Sequence, residues 1–321
     1  SLGLGTEQIS SGLSYIFSLT ESFSNKLIII FVITLIGLIS VCLGLDKGIK
    51  RLSQINMILA SSLMLFIFLF GPTIFILNAL IQNLGSYLNT IIESATWTEA
   101  YDTTSWQNSW TLFFYTWWFA WAPFVSLFIA RISYGRSIKE FIIGVLFVPS
   151  FIVFLWMGIF GNAAIYQVIN ETSQINEIVN NNYTVALFAL FDVYPISQII
   201  SVISLVLIVT FFVTSSDSGA LVASMLSSKK DTSIHSDSPL ISRITWAILL
   251  GIVAAVLLNK GGLVALQTSV VITGVPFSII VVFAIRQFYL SLESPYLPQK
   301  LNHFFYLIFV KQPKLIKLIL R

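Results

Sequence analysis

Long apolar blocks, each about the length of a membrane crossing, are separated along this chain by short polar connections. A helix needs about 20 apolar residues to cross a bilayer. On that measure full spans lie near 27–45, 56–80, 109–130, 140–162, 196–227, 241–258 and 263–287, after a partial span that ends near Phe17. Two connections carry helical patterns of their own. In "LIQNLGSYLNTIIES" (80–94), Leu80, Leu84, Leu88, Ile91 and Ile92 recur at helical spacing among Asn and Ser, which predicts an amphipathic helix lying on a surface. "INEIVNNNYTVALFALFDVYP" predicts a short helix ahead of the span that begins near Ile196.

Composition agrees with the pattern. Of the 321 residues 56% are hydrophobic and 10% charged, against about a quarter charged in soluble domains. An all-α polytopic membrane protein is the class that fits. Charge then sets the orientation, because inward-facing connections are rich in Lys and Arg. Lys47, Lys50 and Arg51 fall in one connection, Arg131, Arg136 and Lys139 two later, and Lys229, Lys230 and Arg243 two later again. Arg286, Lys300, Lys311, Lys314 and Lys317 follow at the end. The alternate connections, 81–108 and 163–195, hold no Lys or Arg; they carry Glu93, Glu99, Asp102, Glu171, Glu177 and Asp192. Short outer turns with Lys26 and Lys260 are the exceptions. The reading is a transmembrane domain over 1–290 in an inner (plasma) membrane and a short basic cytoplasmic tail over 291–321, suited to an anionic leaflet. The opening "SLGLGTEQISSGL" has no signal-peptide pattern and reads as the middle of a helix, so a preceding N-terminal part is expected.

Chemistry is concentrated in two places. In "WTLFFYTWWFAWAPF" (110–124), Trp110, Phe113, Phe114, Trp117, Trp121 and Phe124 fall along one helical stripe, with Trp118 beside it. Entering from outside near Ser109, a rise of about 1.5 Å per residue carries Trp117 and Trp118 roughly 12 Å in and Trp121 roughly 18 Å, past the middle of a core about 30 Å thick. An interfacial belt explains Trp106 and Trp110 but not these three. Helix packing and a cage for a cation both remain open. Small residues usually line helix interfaces in membranes, and aromatic cages are the known holders of quaternary ammonium groups. Pro123 removes a backbone donor where the stripe reaches mid-depth.

The second place is "TFFVTSSDSGA" (210–220). Thr210, Thr214, Ser215, Ser216, Asp217 and Ser218 form a polar patch towards the inner side of its span. An acidic residue in a span is a functional candidate, and hydroxyls with freed carbonyls hold sodium in transporters. Against that, Ser and Thr can bond back to their own helix and Asp217 can pair with a buried donor, the reading favoured for Ser216 and Ser218. Glu7, early in the partial span, is a weaker candidate for a pore-facing acid. Arg131 and Arg136 flank "ISYG" as orientation determinants or gate partners. His235 and His303 have no metal-ligand companions, and Cys42 supports neither a disulfide nor a metal site. No phosphate loop, nucleophile motif or acid/base pair is present, so the chain does not read as an enzyme, a nucleic-acid binder or a cofactor protein.

"WTLFFYTWWFAWAPFVSLFIARISYGRSIKEFIIGVLFVP", with "GLDKGIKRLSQINM", "GPT", "NLGSYL" and "TFFVTSSDSGA", resembles the betaine/choline/carnitine transporter family over nearly the whole chain. The resemblance implies a LeuT-type fold of inverted repeats, of which this chain would supply the C-terminal part, about span five to span twelve. It implies that Trp117, Trp118 and Trp121 hold the substrate ammonium, and that Trp110 and Tyr115 line the outer route, Tyr115 standing where many relatives carry Trp. It implies one sodium site framed by Phe124, and half of another from Phe211 (through its carbonyl), Thr214 and Ser215. The implied activity is import of glycine betaine, choline or carnitine with sodium as the coupling ion, by alternating access. Sodium-independent exchange and an amine-binding membrane sensor are the rival readings. Family members often form trimers, a contact the 80–94 helix would suit.

Overall fold

In the computed structural model, residues 2–44, 48–101, 104–228 and 238–292 are described; they contain helices and turns, with no strand among them. The expected positions Lys47, Asp102, Lys229, Lys230, His235, Lys300, His303, Lys311, Lys314 and Lys317, and all but the first two residues of the 291–321 tail, lie outside them. In chain order the helices are α1 (Leu2–Phe17), α2 (Phe23–Gly44), α3 (Lys50–Phe70), α4 (Thr73–Thr96), α5 (Phe113–Ile132), α6 (Ile138–Ile169), α7 (Ile175–Asn181), α8 (Ala186–Phe191), α9 (Ser197–Ser227) and α10 (Leu240–Leu292). Among the described residues, six helices are long and apolar enough to cross a membrane.

Two boundaries differ from the sequence reading, each for a local reason, and a third agrees with it. The apolar run expected as one span over 56–80 is cut at Gly71–Pro72. A proline cannot donate to the preceding turn and disfavours helical geometry in the residue before it. Gly71 is accordingly extended, at ψ −167. The amphipathic segment 80–94 is therefore the later part of one helix, α4, that starts at Thr73. The segment before α9 is not one helix but α7, a single 3-10 turn over Tyr183–Val185, and α8. The spans expected at 241–258 and 263–287 are the two arms of α10. They meet at Gly262, whose φ 55 and ψ −138 only glycine adopts readily. Leu250 and Phe277 would be about 40 Å apart along a straight helix, yet both line one cavity, so the chain folds back at the glycine pair.

α9 is the shared wall of the bundle. One apolar core gathers Leu63 and Ile67 of α3, Ile76 of α4, Ile159 of α6, Phe191 of α8 and Leu207 of α9. Another gathers Ile9 of α1, Ile33 of α2, Phe188 of α8, Val213 of α9 and Leu258 of α10. Small residues let α9 serve both sides: Ser201, Ser204, Ala220 and Ser224 are buried on it. Opposite, Gly5 of α1 lies so close that an added Cβ would come within 2.3 Å of the Phe212 ring. The α7–α8 segment folds over the end of α1, where Tyr15 stacks on Phe188 at 6.3 Å and its hydroxyl donates to Asp192.

Candidate functional site

The aromatic helix is fixed at its mouth by a carboxylate. Glu99 accepts hydrogen bonds from the backbone N–H groups of Trp106 and Gln107, both at 2.9 Å, and from the Thr104 hydroxyl. These bonds favour the ionised form, so the Thr104 hydroxyl first, then the backbone donors, hold the Glu99 carboxyl below its ordinary value. A π-helical turn over Gln107–Leu112 follows and passes into α5.

Above this clamp the rings form a ladder. Trp97 meets Trp106 edge-on at 5.3 Å, Trp106 stacks on Trp110 at 6.4 Å, and Trp110 stacks on Phe114 at 5.9 Å. Trp110 and Tyr115, expected on the outer route, both line a recess of about 870 Å³, together with Glu93, Trp97 and Trp106.

Deeper in α5 the three candidate cage tryptophans separate into two groups. Trp117 continues the ladder, against Phe113 at 5.3 Å and Phe114 at 6.1 Å. Trp118 meets Trp121 edge-on at 5.6 Å, and Trp121 meets Phe124 at 6.1 Å. Helical side chains lean back towards the preceding turn. Trp117 therefore falls on Phe113 and Phe114, while Trp121 falls on Trp118. No ring contact joins Trp117 to the Trp118–Trp121 pair among the described residues. Trp121 and Phe124 face a cavity of about 490 Å³ between α1, α5, α9 and α10. Gly3 and Leu4 close it on one side and Ser215 and Ser216 on another, with Gln267 and Thr273 from α10. Trp118 is 62% exposed and Trp121 37%. No Lys, Arg, Asp or Glu lines the cavity among the described residues, so ring faces, hydroxyls and one amide are what it offers a ligand.

The α9 patch divides among three neighbours. Ser215 faces the cavity beside Trp121 and Phe124. Thr214 faces α3: its hydroxyl donates to the Phe211 carbonyl at 2.8 Å and accepts from Asn56 Nδ2 at 3.4 Å. Ser218 donates back to the Thr214 carbonyl at 2.7 Å. Asp217 is 1% exposed and accepts from Ser40 of α2 and, at 3.4 Å, from Ser218. Phe211, Thr214 and Ser215 thus place a carbonyl and two hydroxyl oxygens on about one helical turn, a donor set that fits a hard monovalent cation. Among the described residues no group of three His, Cys, Asp or Glu gathers as a multivalent metal site would need.

Glu7 does not stand alone in a pore. Its carboxylate pairs with Lys26 of α2 at 2.6 Å. Asn56, Lys26 and Ser40 each partner a candidate residue, and the sequence reading singled out none of them in that role. Asn56 and Ser40 carried the one readable signal, each a polar residue in or at the edge of an apolar run.

The profile of "BCCT, betaine/carnitine/choline family transporter" matches residues 1–296. The chain is 41% identical to a glycine betaine transporter of Bacillus subtilis over 297 residues, which cover 92% of this chain and 56% of that protein. It is 42% identical to a glycine betaine/proline/choline transporter of Vibrio parahaemolyticus, covering 88% and 50%. It is 39% identical to a high-affinity choline transport protein of Escherichia coli, covering 91% and 43%. The chain spans about half the length of the curated relatives it matches.

Proposed function

We propose that this chain, which belongs to the betaine/carnitine/choline family of transporters and so to a LeuT-like fold, carries the substrate seat and half a sodium site of a secondary transporter for quaternary ammonium solutes. It is a multi-pass membrane protein and not an enzyme. The observation that carries the reading is that the Trp121 and Phe124 rings line a cavity that Ser215 also lines, while Trp118, outside that lining, meets Trp121 edge-on.

A methylated nitrogen offers no hydrogen-bond donor. It can be held only by its diffuse charge and its apolar methyl surface, and tryptophan faces supply both. Trp118 and Trp121 meet edge to face, so their free ring faces point in nearly perpendicular directions, and Trp121, which lines the cavity, would offer its face to the cation. Trp117 would act from the ladder, at the passage between the outer recess and the seat. Trp110, Tyr115 and the acidic Glu93 would gather the cation at the mouth. Sodium would take the Phe211 carbonyl and the Thr214 and Ser215 hydroxyls, with Phe124 framing a further sodium position beside the start of α1. Because Ser215 faces the same cavity as Trp121, sodium and substrate would bias one arrangement of α9 against α5. Rocking between outward-open and inward-open states follows as the transport step. The basic connections and the C-terminal tail would face the cytoplasm of a plasma membrane, and the exposed Ile74, Ile81 and Ile92 of α4 would suit contact with further copies in a trimer.

The test is uptake of labelled glycine betaine, choline and carnitine by the full-length protein in proteoliposomes. Accumulation that follows an imposed inward sodium gradient is the expected result. Exchange without a gradient would instead identify an antiporter, and binding without counterflow a sensor.

A further inference from the structure

Asn56 stands out among the polar side chains that the proposed mechanism leaves unused. It sits in α3 at 2% exposure, and its Oδ1 is buried without a hydrogen-bond partner. Its Nδ2 donates to Thr214 Oγ1 at 3.4 Å, and that hydroxyl spends its only proton on the Phe211 carbonyl at 2.8 Å. A buried amide oxygen left unpaired costs free energy, so an orphan next to two candidate ligands calls for a physical reason.

Proton placement supplies one. A cation on α9 needs lone pairs from both the Phe211 carbonyl and the Thr214 hydroxyl. Within the helix the Phe211 carbonyl already accepts the N–H four residues on, so its second lone pair goes either to the Thr214 proton or to the ion. The proton must move to another acceptor. Turning the Asn56 amide by half a rotation exchanges Nδ2 and Oδ1 in nearly the same volume. The acceptor Oδ1 then stands where the donor was, within reach of Thr214. Either setting leaves one end of the amide without a partner, so the two lie close in energy and a bound cation decides between them.

We infer that Asn56 is a positioning residue for cation binding on α9: its amide reverses when sodium binds, accepts the Thr214 proton and ties α3 to the loaded site. The inference rests on the proposed sodium role of Phe211 and Thr214. It adds a reporter of occupancy on α3, a helix that contributes none of the proposed ligands.

The experiment uses the full-length protein in detergent, with sodium-dependent thermal stabilisation as the readout at fixed glycine betaine and, separately, betaine-dependent tryptophan fluorescence at saturating sodium. Asn56→Leu removes the acceptor at similar volume. It should raise the sodium needed for half-maximal stabilisation by about 10-fold or more, as loss of an outer-shell partner does, with the betaine curve in place. Asn56→Asp keeps acceptors and loses the donor, so its sodium curve should stay at or below the wild-type concentration. An unmoved curve in Asn56→Leu overturns the inference, as does an equal weakening by Leu and Asp, which would mean that the amide only packs or donates. If Asn56→Leu does not fold, the Asp variant alone decides by the same criterion. Wild-type protein insensitive to sodium would bring down the sodium reading and this inference together; a wild-type response with an unshifted Leu variant brings down only the inference.

Discussion

Lys26→Met should cost more than its exposed-looking sequence position suggests. Lys26 lies in the first turn of α2, close to a connection, where a lysine normally reaches water. Here its Nζ sits 2.6 Å from a Glu7 oxygen, and the two side chains are 20% and 17% exposed. At that separation and an effective dielectric of about 20, the attraction alone is roughly 6 kcal/mol, most of it offset by desolvation of both groups. Removing one partner of a buried pair costs about 3–5 kcal/mol, and an exposed pair is worth less than about 1 kcal/mol. With four-fifths of each side chain withdrawn, Lys26→Met belongs near the lower end of the buried range, about 3 kcal/mol, because it strands Glu7. Glu7→Gln with Lys26→Met strands nothing and should cost about 1 kcal/mol or less. Unfolding in mixed micelles at pH 7 measures both, and a cycle with Glu7→Gln isolates the coupling. Single costs that simply add in the double variant would refute the reasoning and reduce the pair to a surface contact. The pair matters because α1 begins at the cavity with Leu2, Gly3 and Leu4, so its tie to α2 fixes one wall of that cavity.

Trp121→Ala should weaken glycine betaine binding by about 2 kcal/mol, roughly 30-fold, and the more exposed Trp118→Ala by about 1 kcal/mol; titration calorimetry that finds the reverse order would reassign the main ring. Thr214→Ala should raise the sodium concentration for half-maximal uptake, and an unaltered sodium curve would remove Thr214 from the site. The Glu99 clamp should outlast ordinary carboxylates in acid. Its pKa in the folded chain lies below the usual 4.5, so its contribution is complete above that value and is lost only as pH falls through the lower, folded one. Fluorescence of the ladder tryptophans followed from pH 6 downwards should therefore change below about 4.5, and Glu99→Gln should abolish that change; a transition centred above 4.5 would contradict the clamp.

The amino-acid pattern made the helices legible because a bilayer imposes one length on every span. It made the aromatic stripe legible, because four tryptophans in fifteen positions, three of them at depth, exceed what an interfacial belt needs, while leaving packing and a cation cage as equal readings. The break at Gly71–Pro72 was visible as residues but masked by the largely apolar stretch on both sides, from Phe66 to Leu80. The division of the tryptophans was not legible: Trp117 and Trp121 share a helical face, and only rotamers decide which neighbours their rings meet. Long-range partners were out of reach altogether. Tyr15 with Asp192, and Ser40 with Asp217, are each separated by 177 residues, and nothing in either local pattern names the other. Asn56 was readable only as a polar residue in an apolar span; that it faces Thr214 is a fact of how α3 crosses α9.

The central claim is that indole faces in α5 hold a methylated nitrogen by its charge. Stepwise fluorination of Trp121 tests it most directly, because each fluorine drains charge from the ring face while leaving its shape nearly unchanged. If the account is right, the logarithm of the glycine betaine dissociation constant rises steadily with the number of fluorines, and an uncharged tert-butyl analogue shows no such trend. A flat series for betaine would mean that Trp121 only fills space, and the seat would have to be sought elsewhere.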